Sequence, residues 1–325
     1  MSSNTAREDP DASLATASLR RHGRSFYWAG RLLSGHHFKQ AATLYSICRQ
    51  IDDIADEAVD RKARVRADSL LASLDQGLQR EQAPAESCLR DIYTAAEQLL
   101  RYEPLAGYAL RDLIATVRTD LHRVRFGRAA DLLQYCYGAA GTVGVMMTCL
   151  LGAEPRDRAL PHAIDLGIAM QMTNIARDVL EDARMDRVYL PAAEAGSAIR
   201  PEALIGGDNR ARHHAWSGVC DLLNQSETYY ASAWQGLQYL PWRPRLAIAV
   251  AACVYREIGR QILRRGEAVY WQERSVVSKP RKTAITAYAL VRLLASYPGP
   301  RGRFRPSHER QLHKGLRTCL DAFPF

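Results

Sequence analysis

The chain has 325 residues, of which 47% are hydrophobic and 24% charged, and both values are ordinary for a globular protein. Its longest apolar run, residues 246–255, is about half as long as the roughly 20 residues that a membrane-spanning helix needs. The first eleven residues contain acids and no apolar core, which argues against a secretory signal or a transit peptide. Seven scattered cysteines without a CxxC pair predict reduced thiols rather than disulfides or a zinc site. We therefore expect a cytoplasmic protein.

The formal net charge is +9, and part of it lies in a basic C-terminal tail. The basic residues of this tail are Arg301, Arg303, Arg305, Arg310, Lys314 and Arg317. A basic surface attracts anionic lipid, nucleic acid or a phosphorylated substrate, but it also keeps a protein soluble. No recognisable nucleic-acid-binding module accompanies the charge, so nucleic acid is the least favoured partner. Peripheral contact with a membrane and solubility alone both stay open.

Helical periodicity dominates the chain, and strand-like alternation is hard to find. Apolar residues repeat at intervals of three and four in three segments: Leu44, Ile47, Ile51 and Ile54; Leu70, Leu74 and Leu78; Leu110, Leu113 and Val117. Stretches rich in Gly, Pro or small polar residues predict breaks at 81–86, 152–158, 191–209, 239–244, 275–280 and 297–307. We predict an all-α fold, a single bundle of eight to ten helices. It occupies residues 18–295, after a disordered lead (1–17) and before the basic tail (296–325).

Near the start of the predicted bundle, the segment His22-Gly-Arg-Ser25-Phe admits two interpretations. The side chains of His22 and Ser25 could contact a phosphate, or they could cap the end of a helix. Taken alone, the residues favour the cap.

The first acidic motif is Asp52-Asp-Ile-Ala-Asp56. At about 100° per residue, four polar side chains fall within about 60° of one another on a helix, next to an apolar arc. They are Tyr45, Arg49, Asp52 and Asp56. Asp53 points about 100° away from Asp52, so we do not expect it to be a ligand. Taken alone, the stripe favours a solvated acidic face in which Arg49 pairs with Asp52 or Asp53.

Residues 135–147 read Tyr-Cys-Tyr-Gly-Ala-Ala-Gly-Thr-Val-Gly-Val-Met-Met, a helix-length apolar stretch rich in glycine. Each glycine costs about 1 kcal/mol relative to alanine in a helix interior. Close packing of helices would explain these glycines, and so would a slot for a long apolar ligand. Both explanations stay open.

The second acidic motif lies on a helix that is largely apolar over residues 163–179. Its polar members, Gln171, Asn174, Asp178 and Asp182, fall within about 80° of one another. Burying such groups costs several kcal/mol unless they are hydrogen-bonded or bind a cation. Arg177 could hold a departing diphosphate through bidentate hydrogen bonds. Together the two motifs predict carboxylates that bind Mg2+ while a substrate phosphate completes its coordination, rather than structural ion pairs.

Other chemistry finds little support in the sequence. It contains no Walker loop, no Gly-rich dinucleotide fingerprint after a strand and no Gly-x-Ser-x-Gly elbow. The remaining histidines lack the spacing that is typical of metal ligands. The functional prediction therefore depends on the two acidic motifs.

These motifs resemble those of the squalene and phytoene synthases, which join isoprenyl diphosphates head to head. The matching segments are 45–56, 135–144, 171–182, 187–191, 229–233, 254–259 and 272–275, and the similarity spans about residues 18 to 290. The segment Gln171-Met-Thr-Asn174-Ile-Ala-Arg177-Asp178-Val-Leu-Glu-Asp182 is highly specific for this family. The chain is therefore identified as a member by resemblance.

The resemblance implies an isoprenoid synthase fold with a central cavity, in which Mg2+ or Mn2+ bridges the protein to the diphosphates. The implied metal ligands are Asp52, Asp56, Asn174, Asp178 and Asp182. The four aspartates, with Arg177, are also the implied catalytic residues. The implied substrate-binding residues are Ser25, His22, Tyr45, Arg49, Tyr135, Gln171, Asn174, Tyr255 and Arg274. For Ser25 and His22, the resemblance favours a phosphate contact over a cap.

The implied reaction has two ionisations. The first allylic cation alkylates a second prenyl chain to give a cyclopropyl diphosphate, which ionises again, rearranges and loses a proton to give a central triene. An apolar cavity suits this chemistry because water would quench the cations.

Two substrates fit the resemblance. Geranylgeranyl diphosphate would give phytoene without NADPH, the first committed step of carotenoid biosynthesis, and the later matching segments favour it. Farnesyl diphosphate would give dehydrosqualene, squalene or presqualene diphosphate. Squalene is the less favoured of these products because the C-terminal membrane anchor usual in squalene synthases is not recognisable.

Other activities of related folds fit less well. A non-catalytic assembly factor would have degraded acidic motifs, whereas both motifs are intact here. A head-to-tail elongase or a terpene cyclase does not fit the Gln171 to Asp178 arrangement.

Two positions depart from the family pattern. A glycine usually precedes the arginine of the Arg-x-Tyr-Leu-Pro segment, and here Asp186 precedes Arg187. A serine or similar residue is common where Gly23 stands. Neither departure removes an implied metal ligand.

Overall fold

The computed structural model describes residues 10–191, 199–295 and 307–322, and within these ranges it contains thirteen α-helices. They are α1 (Pro10–His22), α2 (Arg24–Gly30), α3 (Gly35–Asp56), α4 (Arg61–Arg80), α5 (Ser87–Leu100), α6 (Pro104–Thr119), α7 (Ala129–Cys136), α8 (Thr142–Leu150), α9 (Arg156–Arg184), α10 (Pro201–Ile205), α11 (Asn209–Gly236), α12 (Trp242–Tyr270) and α13 (Lys279–Ala295). The predicted all-α fold is confirmed. The prediction of eight to ten helices was too low, because hydrophobic periodicity does not reveal short helices such as α2 and α10.

Helix α9 lies at the centre of the bundle and packs against α8, α11 and α12. Most residues in its middle are buried, which is typical of a helix surrounded by others. The predicted apolar arc of α3 is also buried, since Leu44, Ile47 and Ile51 are each at most 1% exposed. The two helices that carry the acidic motifs are therefore both anchored in the core.

The glycine-rich stretch joins α7 to α8 through one π-helical turn, Tyr137–Gly141. A Cβ atom on Gly144 would lie 2.2 Å from the Ala163 carbonyl oxygen of α9. Likewise, a Cβ atom on Gly167 would lie 2.1 Å from the Ala140 carbonyl oxygen. The glycines therefore allow α8 and α9 to approach backbone to backbone, as the packing explanation requires.

Most of the predicted breaks agree with the helix ends. Residues 81–86 separate α4 from α5, and the predicted break at 152–158 covers most of the connection between α8 and α9. Helix α9 ends at Arg184, before the predicted break at 191–209, and that break contains the short helix α10. Residues 192–198 and 296–306 lie outside the described residues.

The N-terminal end differs from the sequence prediction where it is described, and the basic C-terminal tail is partly packed on the bundle. Residues 10–17, predicted as part of a disordered lead, belong to α1; residues 1–9 lie outside the described residues. The C-terminal segment 307–322 packs on the bundle, where the Gln134 amide exchanges hydrogen bonds of 2.9 Å with the Arg317 backbone. The Cys319 backbone N–H also donates to the Tyr137 hydroxyl at 2.7 Å. Specific contacts with the bundle therefore hold this segment.

None of the helices within the described ranges is long and apolar enough to cross a membrane.

Candidate active site

The two acidic motifs border one cavity of about 540 Å³, a size typical of ligand sites. Its polar end is lined by Asp52 and Arg49 from α3 and by Asp178 from α9. Further polar lining residues are His22, Tyr45, Gln171, Asn174, Arg177, Tyr255 and Arg274. Ten of the predicted site residues thus meet at one place. Asp56, Asp182, Tyr135 and Ser25 do not line the cavity.

Away from the aspartates, the cavity becomes mostly apolar, with Thr148 and His162 as polar lining residues, and runs along α9. The α9 residues that line it extend from Asp178 back to Ala159, a stretch of about 28 Å at 1.5 Å per residue. Ala139, Val143, Gly144 and Met147 of the glycine-rich stretch form part of its wall. Gly144 and Gly167, which allow close packing, therefore also line the cavity, and the ligand slot stays a prediction.

In the first motif, the side chains of Asp52 and Asp53 have different surroundings. Asp53 forms an ion pair with Arg49 one helical turn earlier, whereas Asp52 lines the cavity. Asp56 accepts a hydrogen bond of 2.8 Å from Arg187, which follows α9. Sequence reasoning quoted Arg187 as part of a family motif but did not assign it to the site.

The second motif contains a kink in α9. Asp178 has non-helical backbone angles (φ −110°, ψ 16°) inside the helix. Its carboxylate accepts hydrogen bonds from Arg177 at 2.8 Å and from Arg274 at 2.8 and 2.9 Å. Arg274 lies on the loop between α12 and α13, so this contact ties the loop to the site.

Asn174 points its amide nitrogen at the Gln171 side-chain oxygen, 3.3 Å away. Its own side-chain oxygen is buried and has no hydrogen-bond partner. A buried oxygen without a partner is costly in a protein interior, and a bound cation would satisfy it.

The pKa values of the aspartates differ in direction. Burial, reinforced by the charge of Asp56, raises the pKa of Asp52 to about 7. Burial and the charge of Asp178 raise the pKa of Asp182 well above its ordinary range. Burial alone would also raise the pKa of Asp178, but the hydrogen bonds from Arg177 and Arg274 outweigh it and lower that pKa. The positive charges near Asp52 and Asp182 thus do not offset the burial of these two carboxylates.

A further carboxylate, Asp120, was missed by sequence reasoning. It accepts hydrogen bonds from the hydroxyls of Tyr135 at 2.9 Å and Tyr189 at 3.2 Å. Burial raises its pKa to about 6, although the charge of Arg187 opposes the shift. Tyr135, predicted to bind substrate, is outside the cavity lining and holds this carboxylate.

Aromatic rings border the polar end of the cavity. The ring of Phe26 lies 5.0 Å from that of Tyr255 and 6.3 Å from that of Tyr45, measured between centroids. All three residues line the cavity. The face of an aromatic ring carries negative electrostatic potential, which favours a cation bound beside it.

His22 and Ser25 flank the junction of α1 and α2. His22 is exposed at the cavity edge, whereas Ser25 is half-buried and outside the lining. The N-cap of α2 is Gly23, and no side chain caps this helix. Neither His22 nor Ser25 therefore caps the start of α2.

The donor set fits a divalent cation. Asp52 and Asp182 are acids whose charge is poorly compensated, and the Asn174 side-chain oxygen lacks a partner. Mg2+ prefers such oxygen ligands and usually retains water and phosphate ligands as well. The protein donors need not converge on one point, since a bound diphosphate would bridge them.

Residues 19–281 match the sequence model of the family described as squalene/phytoene synthase. The chain belongs to the squalene/phytoene synthase family. It is 36% identical over 281 residues to a 15-cis-phytoene synthase from Enterobacter agglomerans, an alignment that covers 82% of this chain and 90% of the relative. It is 30% identical over 272 residues to a 4,4'-diapophytoene synthase from Staphylococcus haemolyticus, covering 82% and 92%.

The fold also agrees with that of a solved dehydrosqualene synthase. A dehydrosqualene synthase in complex with ligand superposes with a TM-score of 0.69 at 25% identity, covering 89% of this chain and 98% of that one. The isoprenoid synthase fold expected from the resemblance is confirmed.

The departure from the squalene/phytoene synthase pattern at Asp186 has a structural explanation. Asp186 has a φ of 58°, in the left-handed region that favours glycine and that aspartate adopts more readily than most residues. Arg125 donates to its side chain at 2.5 Å and to its carbonyl at 2.7 Å. Asp186 therefore adopts a conformation that favours glycine, and Arg125 holds it in place.

A second cluster lies elsewhere on α9. Asp165, His308 and His313 bring their donor atoms within 4.8 Å of one another. Among the described residues, the predicted aspartate ligands do not form a group this tight. Asp165 is thirteen residues before Asp178, about 20 Å along the helix, so the two sites are separate. Sequence spacing missed this cluster because Asp165 lies more than 140 residues before the two histidines, and the five-residue spacing of His308 and His313 was not recognised as a signal.

Proposed function

We propose that the protein condenses two geranylgeranyl diphosphates head to head, through a cyclopropyl diphosphate, to phytoene. The observation that carries this proposal is the long apolar cavity with both intact acidic motifs at one end. The relative from Enterobacter agglomerans is named a 15-cis-phytoene synthase, which supports the same reaction. The protein would then act in carotenoid biosynthesis as a prenyltransferase.

In this proposal, Asp52, Asp56, Asn174, Asp178 and Asp182 hold divalent cations, with Mg2+ as the expected ion and Mn2+ as an alternative. The bound ions would supply the positive charge that stabilises the leaving diphosphate. The partnerless Asn174 oxygen and the poorly compensated Asp52 and Asp182 support this assignment.

Arginines at the polar end of the cavity would bind the diphosphate. Arg49, Arg177 and Arg274 all line the polar end, and their guanidinium groups can each form two hydrogen bonds with phosphate oxygens. Arg274 is half-exposed, so it can exchange its contact with Asp178 for one with substrate. Gln171 and His22 line the same region, whereas Ser25 lies outside the lining, three residues after His22. All three are proposed to orient the phosphates.

The remaining side chains would protect the allylic cation. The faces of Tyr45, Phe26 and Tyr255 can stabilise positive charge near the point of ionisation. The apolar wall along α8 and α9 excludes water, which would otherwise trap the cation as an alcohol. Tyr135 takes part indirectly, by holding Asp120 behind the site.

A C30 reaction with farnesyl diphosphate is the second candidate. It is favoured by the relative named 4,4'-diapophytoene synthase and by the likeness to the dehydrosqualene synthase. Both candidates would use the same metal site, so the usable length of the cavity decides between them.

The test is to incubate the purified protein with Mg2+ and either geranylgeranyl or farnesyl diphosphate, with and without NADPH. The proposal predicts a C40 triene from geranylgeranyl diphosphate, formed without NADPH. A C30 hydrocarbon as the main product, or a cyclopropyl diphosphate that accumulates, would contradict it.

We further propose a cytoplasmic protein whose basic tail contacts anionic membranes from the surface. Arg310, Lys314 and Arg317 are exposed on the described part of this tail. Arg301, Arg303 and Arg305 lie outside the described residues. Cosedimentation with phosphatidylserine vesicles should decrease when Arg310, Lys314 and Arg317 are changed to glutamine; unchanged binding would leave the tail as a solubility device.

A further inference from the structure

The C-terminal segment places two imidazoles on one buried carboxylate of α9. The Nε2 atom of His308 lies 2.9 Å from Oδ2 of Asp165, and that of His313 lies 2.8 Å from Oδ1. The side chain of Asp165 is 0% exposed, and the Ser232 hydroxyl of α11 donates to the same carboxylate. Three protein elements thus meet at one carboxylate.

The surroundings of this cluster hold it in place. The Ser232 oxygen also lies 2.9 Å from Nδ1 of His162, which is 2% exposed and lines the far part of the cavity. Tyr229 of α11 donates to the Leu312 carbonyl at 3.1 Å, which fixes the backbone between the two histidines. The donors are therefore oriented before any ligand binds.

Charge balance favours a cation at this point. With both imidazoles neutral, the cluster buries one negative charge that only hydrogen bonds compensate. Two imidazole nitrogens and one carboxylate oxygen are a common ligand set for zinc, with a water in the fourth position. A tetrahedral site with bonds of about 2.0 to 2.1 Å places its ligand atoms about 3.3 Å apart. The two imidazoles contact different oxygens of Asp165 at 2.9 and 2.8 Å, and all three donor atoms lie within 4.8 Å of one another. Small side-chain movements would therefore bring them to the spacing of a metal site.

We propose that Asp165, His308 and His313 form a transition-metal site of the zinc class, distinct from the aspartate-rich active site. It contains imidazole ligands, which suit zinc and disfavour Mg2+. Binding ties the C-terminal segment to α9 and α11 behind the far wall of the cavity. The metal has a structural role there, and the proposal does not depend on the proposed reaction.

The first measurement is metal content. The full chain is dialysed against micromolar Zn2+ with millimolar Mg2+, which occupies the aspartate site, and bound zinc is then determined by mass spectrometry. We expect about one equivalent of zinc per chain. Co2+ in place of Zn2+ should give visible absorption bands of a tetrahedral ion. Absence of bound zinc overturns the proposal.

Variants separate a metal site from a purely hydrogen-bonded contact. The double change His308→Gln with His313→Gln keeps N–H donors for Asp165 but removes the imidazole ligands. We expect it to lose the bound zinc, the cobalt spectrum and any rise in melting temperature caused by Zn2+. The matched control changes two exposed histidines, His122→Gln with His213→Gln, and should retain all three.

Two outcomes contradict the assignment. If the His308 and His313 variant binds as much zinc as the control, the metal lies elsewhere. If zinc leaves the melting temperature of the unaltered protein unchanged while binding it, the site does not tie the segment to the bundle. Circular dichroism of both double variants without zinc checks that each has folded.

Discussion

Arg274 donates two hydrogen bonds to the carboxylate of Asp178, 96 residues away along the chain. Arg177 donates to the same carboxylate from the adjacent position on α9. One aspartate of the second motif is therefore neutralised by two arginines, whereas Asp52 across the cavity is not. The loop that carries Arg274 can thus respond to what binds at Asp178.

Changing Arg274 to glutamine should lower kcat/KM with the prenyl diphosphate by about tenfold to a hundredfold, the usual effect of losing a charged hydrogen-bond pair. The reason is that both Asp178 and the diphosphate lose a bidentate partner. The matched control is Arg265→Gln, which removes an arginine that is half-exposed and 3.7 Å from Glu273. Equal losses in both variants would contradict a role at the site.

Changing Asp52 to asparagine, or Asp178 to asparagine, should reduce turnover by about a thousandfold, because each change removes a negatively charged ligand of the proposed cation site. Circular dichroism should show a nearly unchanged helical fold. Asp53→Asn removes the same charge one residue from Asp52, but Asp53 pairs with Arg49 instead of lining the cavity. Its turnover should fall by less than about tenfold. If Asp53→Asn is as harmful as Asp52→Asn, the assignment of the ligands is wrong.

The stability of the metal-free protein should depend on pH through Asp52. Its pKa is 3.8 when unperturbed and about 7 in the fold, so between these values the folded state holds the additional proton. Stability must then fall as pH rises through this window. Relative to Asp52→Asn, the unaltered protein should lose about 2 to 3 kcal/mol of unfolding free energy from pH 5 to pH 8.

The measurement is urea unfolding of both proteins with a chelator present. Added Mg2+ should restore stability at pH 8 to the unaltered protein more than to Asp52→Asn, since the cation replaces the missing positive charge. If the unfolding free energies of the two proteins change with pH in parallel, burial does not raise the pKa of Asp52.

Local spacing was enough to predict the stripes on α3 and α9, because residues three and four apart on one helix must share a face. It also separated Asp53 from Asp52, which the structure bears out. Spacing could not predict Asp120 or Arg187, since each reaches the site from a helix end or a loop and has no patterned neighbour. The contact between Asp165 and His313 depends on where the C-terminal segment packs, which no local pattern specifies.

Changing Gly144 to alanine should destabilise the protein by about 1 to 3 kcal/mol, the usual cost of overpacking. The added methyl group would lie 2.2 Å from the Ala163 carbonyl oxygen, so α8 and α9 must separate. The control is Gly107→Ala on α6, where a Cβ atom meets nothing within 4 Å. That change should stabilise the helix by up to about 1 kcal/mol. Urea unfolding of both variants measures the difference, and a neutral Gly144→Ala would contradict the close approach.

The length of the product should depend on Ala163, which lines the cavity about 22 Å along α9 from Asp178. Phenylalanine at this position would fill part of the space that the end of a C20 chain needs, while leaving the polar end unchanged. We expect Ala163→Phe to lower the rate with geranylgeranyl diphosphate at least about tenfold relative to farnesyl diphosphate, since an overpacked pocket costs 1 to 3 kcal/mol. Ala287→Phe, on the exposed side of α13, is the control and should leave the ratio unchanged. The two substrates are compared by kcat/KM and by chain length of the hydrocarbon. If Ala163→Phe lowers both rates equally, the chain does not reach this part of the cavity.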